Sequence, residues 1–200
     1  MTELEFWAAL VNDYPQTAQR LPTLTSNKIR SGVPPPLRGV VWMSIAGSRD
    51  PLLEQEYDRL CGESSPYENL IGKDIGRSFP GVEMFRDPSG EGQQMLGRVL
   101  KAFSLYDHKI GYCQGLGFVV GPLLMHMADK EAFCVLVRYD LLLRRCLNNA
   151  ANSGQIDGTL RSPLMLLARP FGPPSSYISI PGSIVEAPTN TGCSSRRSTD

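Results

Sequence analysis

The chain of 200 residues lacks an excess of charge of either sign, with 20 Lys and Arg against 20 Asp and Glu. Without net charge there is no long-range pull toward nucleic acid or an anionic membrane surface. It also lacks a long apolar run. The longest, LGFVVGPLLMHMA (116–128), is too short to cross a bilayer and is interrupted by His126. The opening MTELEFW has none of the basic-then-apolar order of a secretory signal. Histidine is scarce, at two, and the five cysteines at 61, 113, 134, 146 and 193 are scattered and odd in number. No C-x-x-C or H-x-x-x-H occurs. The pattern therefore predicts neither a disulfide framework nor a structural metal site, and a reducing cytoplasm is the expected setting.

Sustained period-two alternation is missing as well, so strands are not expected. What is present is helical spacing. Leu4, Trp7 and Val11 predict a helix over 4–14 that Pro15 ends. A short helix is expected after the prolines of GVPPPLRGVVW, with Trp42 on its buried side, and another at 51–61. Residues 66–90 are punctuated by proline and glycine and read as short helical turns and loop. Leu96, Val99, Leu100, Phe103 and Tyr106 form the clearest helical stripe. A further helix follows from about Gly115, kinked by Pro122 or restarted there, and Asp129 caps another over 130–146. The fold class is all-α. Three segments are expected: an N-terminal helix and linker (1–27), a helical domain (28–147) and an irregular, disordered tail (148–200) rich in Pro, Gly, Ser and Thr.

Two stretches carry chemistry. In KIGYCQGLGFVVG (109–121) the glycines give G-x-G-x-x-x-G, one residue off the dinucleotide fingerprint and without its preceding strand. They read as turn and packing glycines. Cys113 and Cys134 read as packing residues, and His108 beside Cys113 does not make a metal or triad pattern. In IGKDIGRSFPG (71–81), Asp74 and Arg77 share one face of a helical turn. They read either as a local ion pair or as an arginine presented at a loop edge, its planar fork suited to phosphate.

Taken in order, GVPPPLRGVVW, IGKDIGRSFP and KIGYCQGLGF resemble the TBC domain of Rab GTPase-activating proteins over roughly residues 28–138. The resemblance implies a multi-helix TBC-type domain that presents two residues to a Rab-family small GTPase. The arginine of I-x-x-D-x-x-R is Arg77 and the glutamine of Y-x-Q-G is Gln114; both would act in trans to accelerate GTP hydrolysis. Asp74 would orient Arg77, and Tyr112 and Gly115 would hold the Gln114 loop. Gly32, Pro34, Arg38 and Trp42 would be structural. The resemblance implies no cofactor of the chain's own, since GTP and Mg would belong to the GTPase, and no stand-alone reaction. Any membrane association in vesicle trafficking would come through the Rab. Beyond about residue 138 the chain departs from the family, so the domain is expected to be truncated, with apolar helix faces left exposed. The alternatives are an inactive TBC-like Rab-binding module or a truncated gene-model fragment.

Overall fold

Local capping sets the N-terminal helices. The computed structural model describes the backbone over residues 1–153 and side chains over 1–141. The Thr2 hydroxyl accepts from the Glu5 N–H while the Glu5 carboxylate accepts from the Thr2 N–H, a reciprocal cap that starts α1 (Glu3–Asn12). Pro15 does not end a longer helix as its position predicts. It lies in the first turn of α2 (Tyr14–Arg20), where its missing N–H is not needed, and Asp13 caps that turn by accepting from the Gln16 N–H at 2.9 Å. Pro22 opens α3 (Pro22–Ser31) in the same way. The stretch expected as linker up to residue 27 is therefore helical.

Gly32 ends α3 at φ 109°, a region open to glycine. A 3-10 turn over Pro35–Leu37 leads into α4 (Arg38–Ala46). Arg38 Nε donates back to the Val33 carbonyl at 3.2 Å, closing that corner. Asp50 caps α5 (Pro51–Cys61) by accepting from the Leu52 N–H at 3.0 Å.

The largest departure from the sequence pattern is α6 (Glu68–Ser78), one helix of 11 residues where only short helical turns and loop are expected. Gly72 and Gly76 each cost a helix interior about 1 kcal/mol relative to alanine, and they masked the pattern. Ile71 and Asp74 are buried and Ile75 packs on the core, so tertiary burial overrides the weak propensity. After a 3-10 turn at Glu83–Phe85 come α7 (Glu91–Tyr106), α8 (Gly117–Leu124) and α9 (Asp129–Ser153). Pro122 lies inside α8 and does not start a later helix. α9 runs past residue 147, where the tail was expected to begin; residues 154–200 lie outside the described residues.

Among the described residues there are nine α-helices and no strand, so the fold is all-α. α7 is central and packs against α5, α6, α8 and α9. Its Leu96, Val99, Leu100 and Phe103 are buried as the stripe predicts, while Tyr106 stays partly exposed. Phe133 of α9 is fully buried between Tyr57 and Tyr106, at ring-centroid distances of 5.1 Å and 5.7 Å. Arg98 on α7 pairs with Asp129 at the start of α9 at 2.7 Å, and Arg138 pairs with Asp50 at 2.6 Å. Burial pushes the Asp129 carboxyl up, but bonds from Arg98 and Tyr57 outweigh it and hold the group below its ordinary range. Large apolar side chains in the exposed class number no more than one per helix among the described residues.

Candidate functional site

The site begins on α6, where a spacing of three puts Asp74 and Arg77 on one face. Asp74 is buried, at 6% exposure. Its Oδ1 accepts from Arg77 Nε at 3.0 Å and Nη2 at 2.5 Å. The arginine side chain is otherwise 63% exposed. Ser78 Oγ donates to the Asp74 carbonyl at 2.6 Å, tying off the last turn of the helix.

The second stretch arrives from the opposite side of the same carboxylate. Tyr112 Oη donates to Asp74 Oδ2 at 2.8 Å. Its backbone is set by two glycines in the left-handed region, Gly111 at φ 60° and Gly115 at φ 94°. Gly111 also has no room for a side chain, since a Cβ there would approach the Tyr67 hydroxyl to 2.4 Å. Gln114 sits exposed on the turn between these glycines. Cys113, expected to pack in an apolar run, is exposed instead, because the turn directs it outward along with Gln114.

α8 then fixes that turn against α6. A Cβ on Gly121 would meet the Phe79 ring at 2.3 Å, and one on Gly117 would lie 3.4 Å from Ser78 Oγ. The lack of side chains lets the two helices close to contact at the end of α6 that carries Arg77. The sequence marks Gly121 as a packing glycine but not Phe79 as the residue it packs against, and it gives no sign of the contact between Tyr67 and Gly111. A phenylalanine before proline reads only as a helix stop until its neighbour is known.

Electrostatically the centre of the site is one shared carboxylate. Burial raises the Asp74 pKa, but hydrogen bonds from Arg77 and Tyr112 and the guanidinium charge prevail and hold it below the usual carboxylate range. Burial and the bond to Asp74 push the Tyr112 hydroxyl well above the ordinary tyrosine range, so it remains a donor. A fixed acceptor thus holds one edge of an exposed guanidinium, and an exposed neutral amide stands two residues beyond the tyrosine that shares the acceptor. Two clefts of about 420 and 200 Å³ occur elsewhere, and neither is lined by Arg77 or Gln114. These two side chains project from the surface, a geometry suited to entering a site on another molecule.

The opening motif lies apart from that carboxylate. Trp42 is buried and meets His126 edge-on at 5.1 Å, and a Cβ on Gly39 would come within 2.3 Å of the His126 carbonyl. Burial, then the Arg38 charge, lowers the His126 pKa. Pro34 precedes the 3-10 turn and accepts from the Leu37 N–H at 2.9 Å. Among the described residues no group of His, Cys, Asp and Glu could hold a metal ion, and no helix is long and apolar enough to cross a membrane.

The Rab-GTPase-TBC domain family model matches residues 35–156. The chain belongs to this family. The match begins just after Gly32 and Pro34 and extends past residue 138, where the resemblance in motifs ends. Among curated relatives, the Ecotropic viral integration site 5 ortholog of Drosophila melanogaster is 42% identical over 132 residues, covering 66% of this chain and 16% of that protein. The Rab GTPase-activating protein tbc-11 of Caenorhabditis elegans is 38% identical over 140 residues, covering 68% and 15%. The chain thus spans about a sixth of the length of these relatives. The crystal structure of the Chlamydomonas flagellar RabGAP TBC domain aligns with a TM-score of 0.52 at 30% identity, over 58% of this chain and 42% of that one.

Proposed function

We propose that this Rab-GTPase-TBC chain acts as a GTPase-activating protein for a Rab-type small GTPase, inserting Arg77 and Gln114 beside the partner's GTP. The observation that carries the reading is the double use of Asp74, which bonds Arg77 through one oxygen and Tyr112 through the other. It positions both projecting stretches from one buried point.

Phosphoryl transfer asks for charge stabilisation and an oriented water, with little covalent work by the protein. Arg77 supplies a permanent positive fork for the charge that develops on the transferring group. The Gln114 amide can donate to a phosphate oxygen and accept from water at once, which neither a carboxylate nor an ammonium can do. Asp74 keeps the arginine from wandering before the encounter and so lowers the ordering cost on binding. The nucleotide and its magnesium belong to the partner, and the chain brings no cofactor of its own. Action is in the cytoplasm, with any membrane contact made through the Rab.

The test is single-turnover GTP hydrolysis by a panel of GTP-loaded Rabs, with and without the chain. At least one Rab should be accelerated. Arg77→Ala should abolish about 10³-fold or more of the stimulation, the range for arginine fingers, while leaving Rab binding measurable. Acceleration that survives in both Arg77→Ala and Gln114→Ala sinks the reading. Binding without acceleration by the unaltered chain would favour an inactive Rab-binding module.

A further inference from the structure

On α8 the apolar side chains Val120, Leu123 and Leu124 are buried, as expected of a core helix, but Phe118 is 47% exposed. Its position is nonetheless supported. Its ring meets Phe79 edge-on at 5.5 Å and 66°, and Phe79 meets Phe85 at 5.0 Å and 31°. Phe85 is buried, so three rings form a ladder from the core to the surface. An aromatic side chain supported in this way needs little further ordering to be buried by a partner.

Both functional stretches reach this ring. Phe79 follows Arg77 by two residues, and Phe118 follows Gln114 by four. The Phe118 N–H donates to the Gly115 carbonyl at 3.0 Å, within the turn that carries Gln114. We propose that Phe118 is an apolar anchor for the partner GTPase, seated in an apolar recess beside the bound nucleotide while Arg77 and Gln114 enter. This rests on the GTPase-activating reading above. The occupant is argued from continuity: the exposed ring is joined through Phe79 to the end of α6 that carries Arg77 and through Gly115 to the turn that carries Gln114, the two side chains proposed to enter the GTPase. Anchors of this kind, aromatic and held in place before contact, dominate interface energies.

The experiment compares the full chain with Phe118→Ala, Phe118→Leu and Leu52→Ala, the last an exposed leucine on α5. Stimulated hydrolysis is measured against chain concentration on a responsive Rab. Phe118→Ala should raise the half-saturating concentration about tenfold or more, as loss of an interface hot spot does. Phe118→Leu should recover part of this, and Leu52→Ala should match the unaltered chain. An effect on half-saturation, and not on the rate at saturation, separates docking from chemistry. Unchanged half-saturation in Phe118→Ala overturns the proposal. So does a loss confined to the saturated rate, which would mean that the ring only supports the Gln114 turn. If the unaltered chain accelerates no Rab, the activity reading fails by itself, and calorimetric binding to GTP-loaded Rabs then decides the docking. Weaker binding in Phe118→Ala supports it; binding that is absent or unchanged overturns it. Sedimentation showing a dimer lost in Phe118→Ala would assign the ring to a second copy of the chain and also overturn it.

Discussion

Asp74 has two oxygens and two demanding neighbours, so each partner's removal has a distinct consequence. Tyr112→Phe deletes one donor and leaves Oδ2 buried without it. A buried acceptor left unpaired costs about 1–3 kcal/mol, which chemical denaturation would show as a lower midpoint; an unchanged midpoint would count against the coupling. Asp74→Asn frees Arg77 to sample other rotamers. A misplacement of about 1 Å at a reacting centre can cost about a hundredfold in rate, so stimulated hydrolysis at saturation should fall steeply with little change in overall fold. The pH dependence has a definite sign. The folded Asp74 carboxyl titrates below its unfolded value, so its stabilisation is present above the ordinary carboxylate range. It is lost as pH falls through that range toward the lowered folded value. Urea midpoints measured from neutral into acid should therefore drop more steeply for the unaltered chain than for Asp74→Asn; parallel curves would refute the assignment.

At the level of elements, glycines on neighbouring helices have opposite meanings. Gly72 of α6 has nothing within 4 Å of a would-be Cβ and has no positive φ. Gly72→Ala should stabilise the chain by about 0.4–1 kcal/mol through the unfolded state. Gly121 of α8 faces the Phe79 ring, and Gly121→Ala forces that ring to move. Such overpacking costs about 1–3 kcal/mol, and it should also disturb stimulated hydrolysis because Phe79 borders Arg77. Thermal melts of the pair should shift in opposite directions, and a shared direction would contradict the packing described. No sequence pattern distinguishes these two glycines, since the difference is in what lies opposite each. The same limit explains why α6 reads from sequence only as short helical turns. Its apolar positions were visible, but Gly72, Gly76 and the flanking prolines gave the stretch a loop-like composition. Where period and burial agreed, as in α5 and α7, boundaries could be read directly.

Over the whole molecule, α7 and α9 carry the core on which the site stands. Phe133 is fully buried and touches rings from α5 and α7. Phe133→Ala should cost about 3–5 kcal/mol, a large share of the 5–15 kcal/mol typical of a folded domain. The expected outcome is a much lower unfolding temperature and, with it, loss of any GTPase stimulation, although Phe133 lies on α9, Arg77 on α6 and Gln114 on the turn before α8. Retained stimulation in a chain that has lost its cooperative transition would show that the functional stretches act without the core.

The helical class, the stripe of α7 and the order of the three family motifs are legible in the amino-acid sequence alone. Those features are local or periodic, and a linear pattern records them. It also offered Arg77 and Gln114 as candidates, because each sits in a short motif of its own. That Asp74 serves both stretches, and that glycines at 117 and 121 bring α8 onto the end of α6, emerges only from the packed fold. It alone decided that Phe118 stays at the surface while its helix neighbours are buried. The physical reason is separation along the chain: Asp74 and Tyr112 lie 38 residues apart. A hydrogen bond between residues so distant in sequence exists only once the packing of α6, α7 and α8 has brought them together.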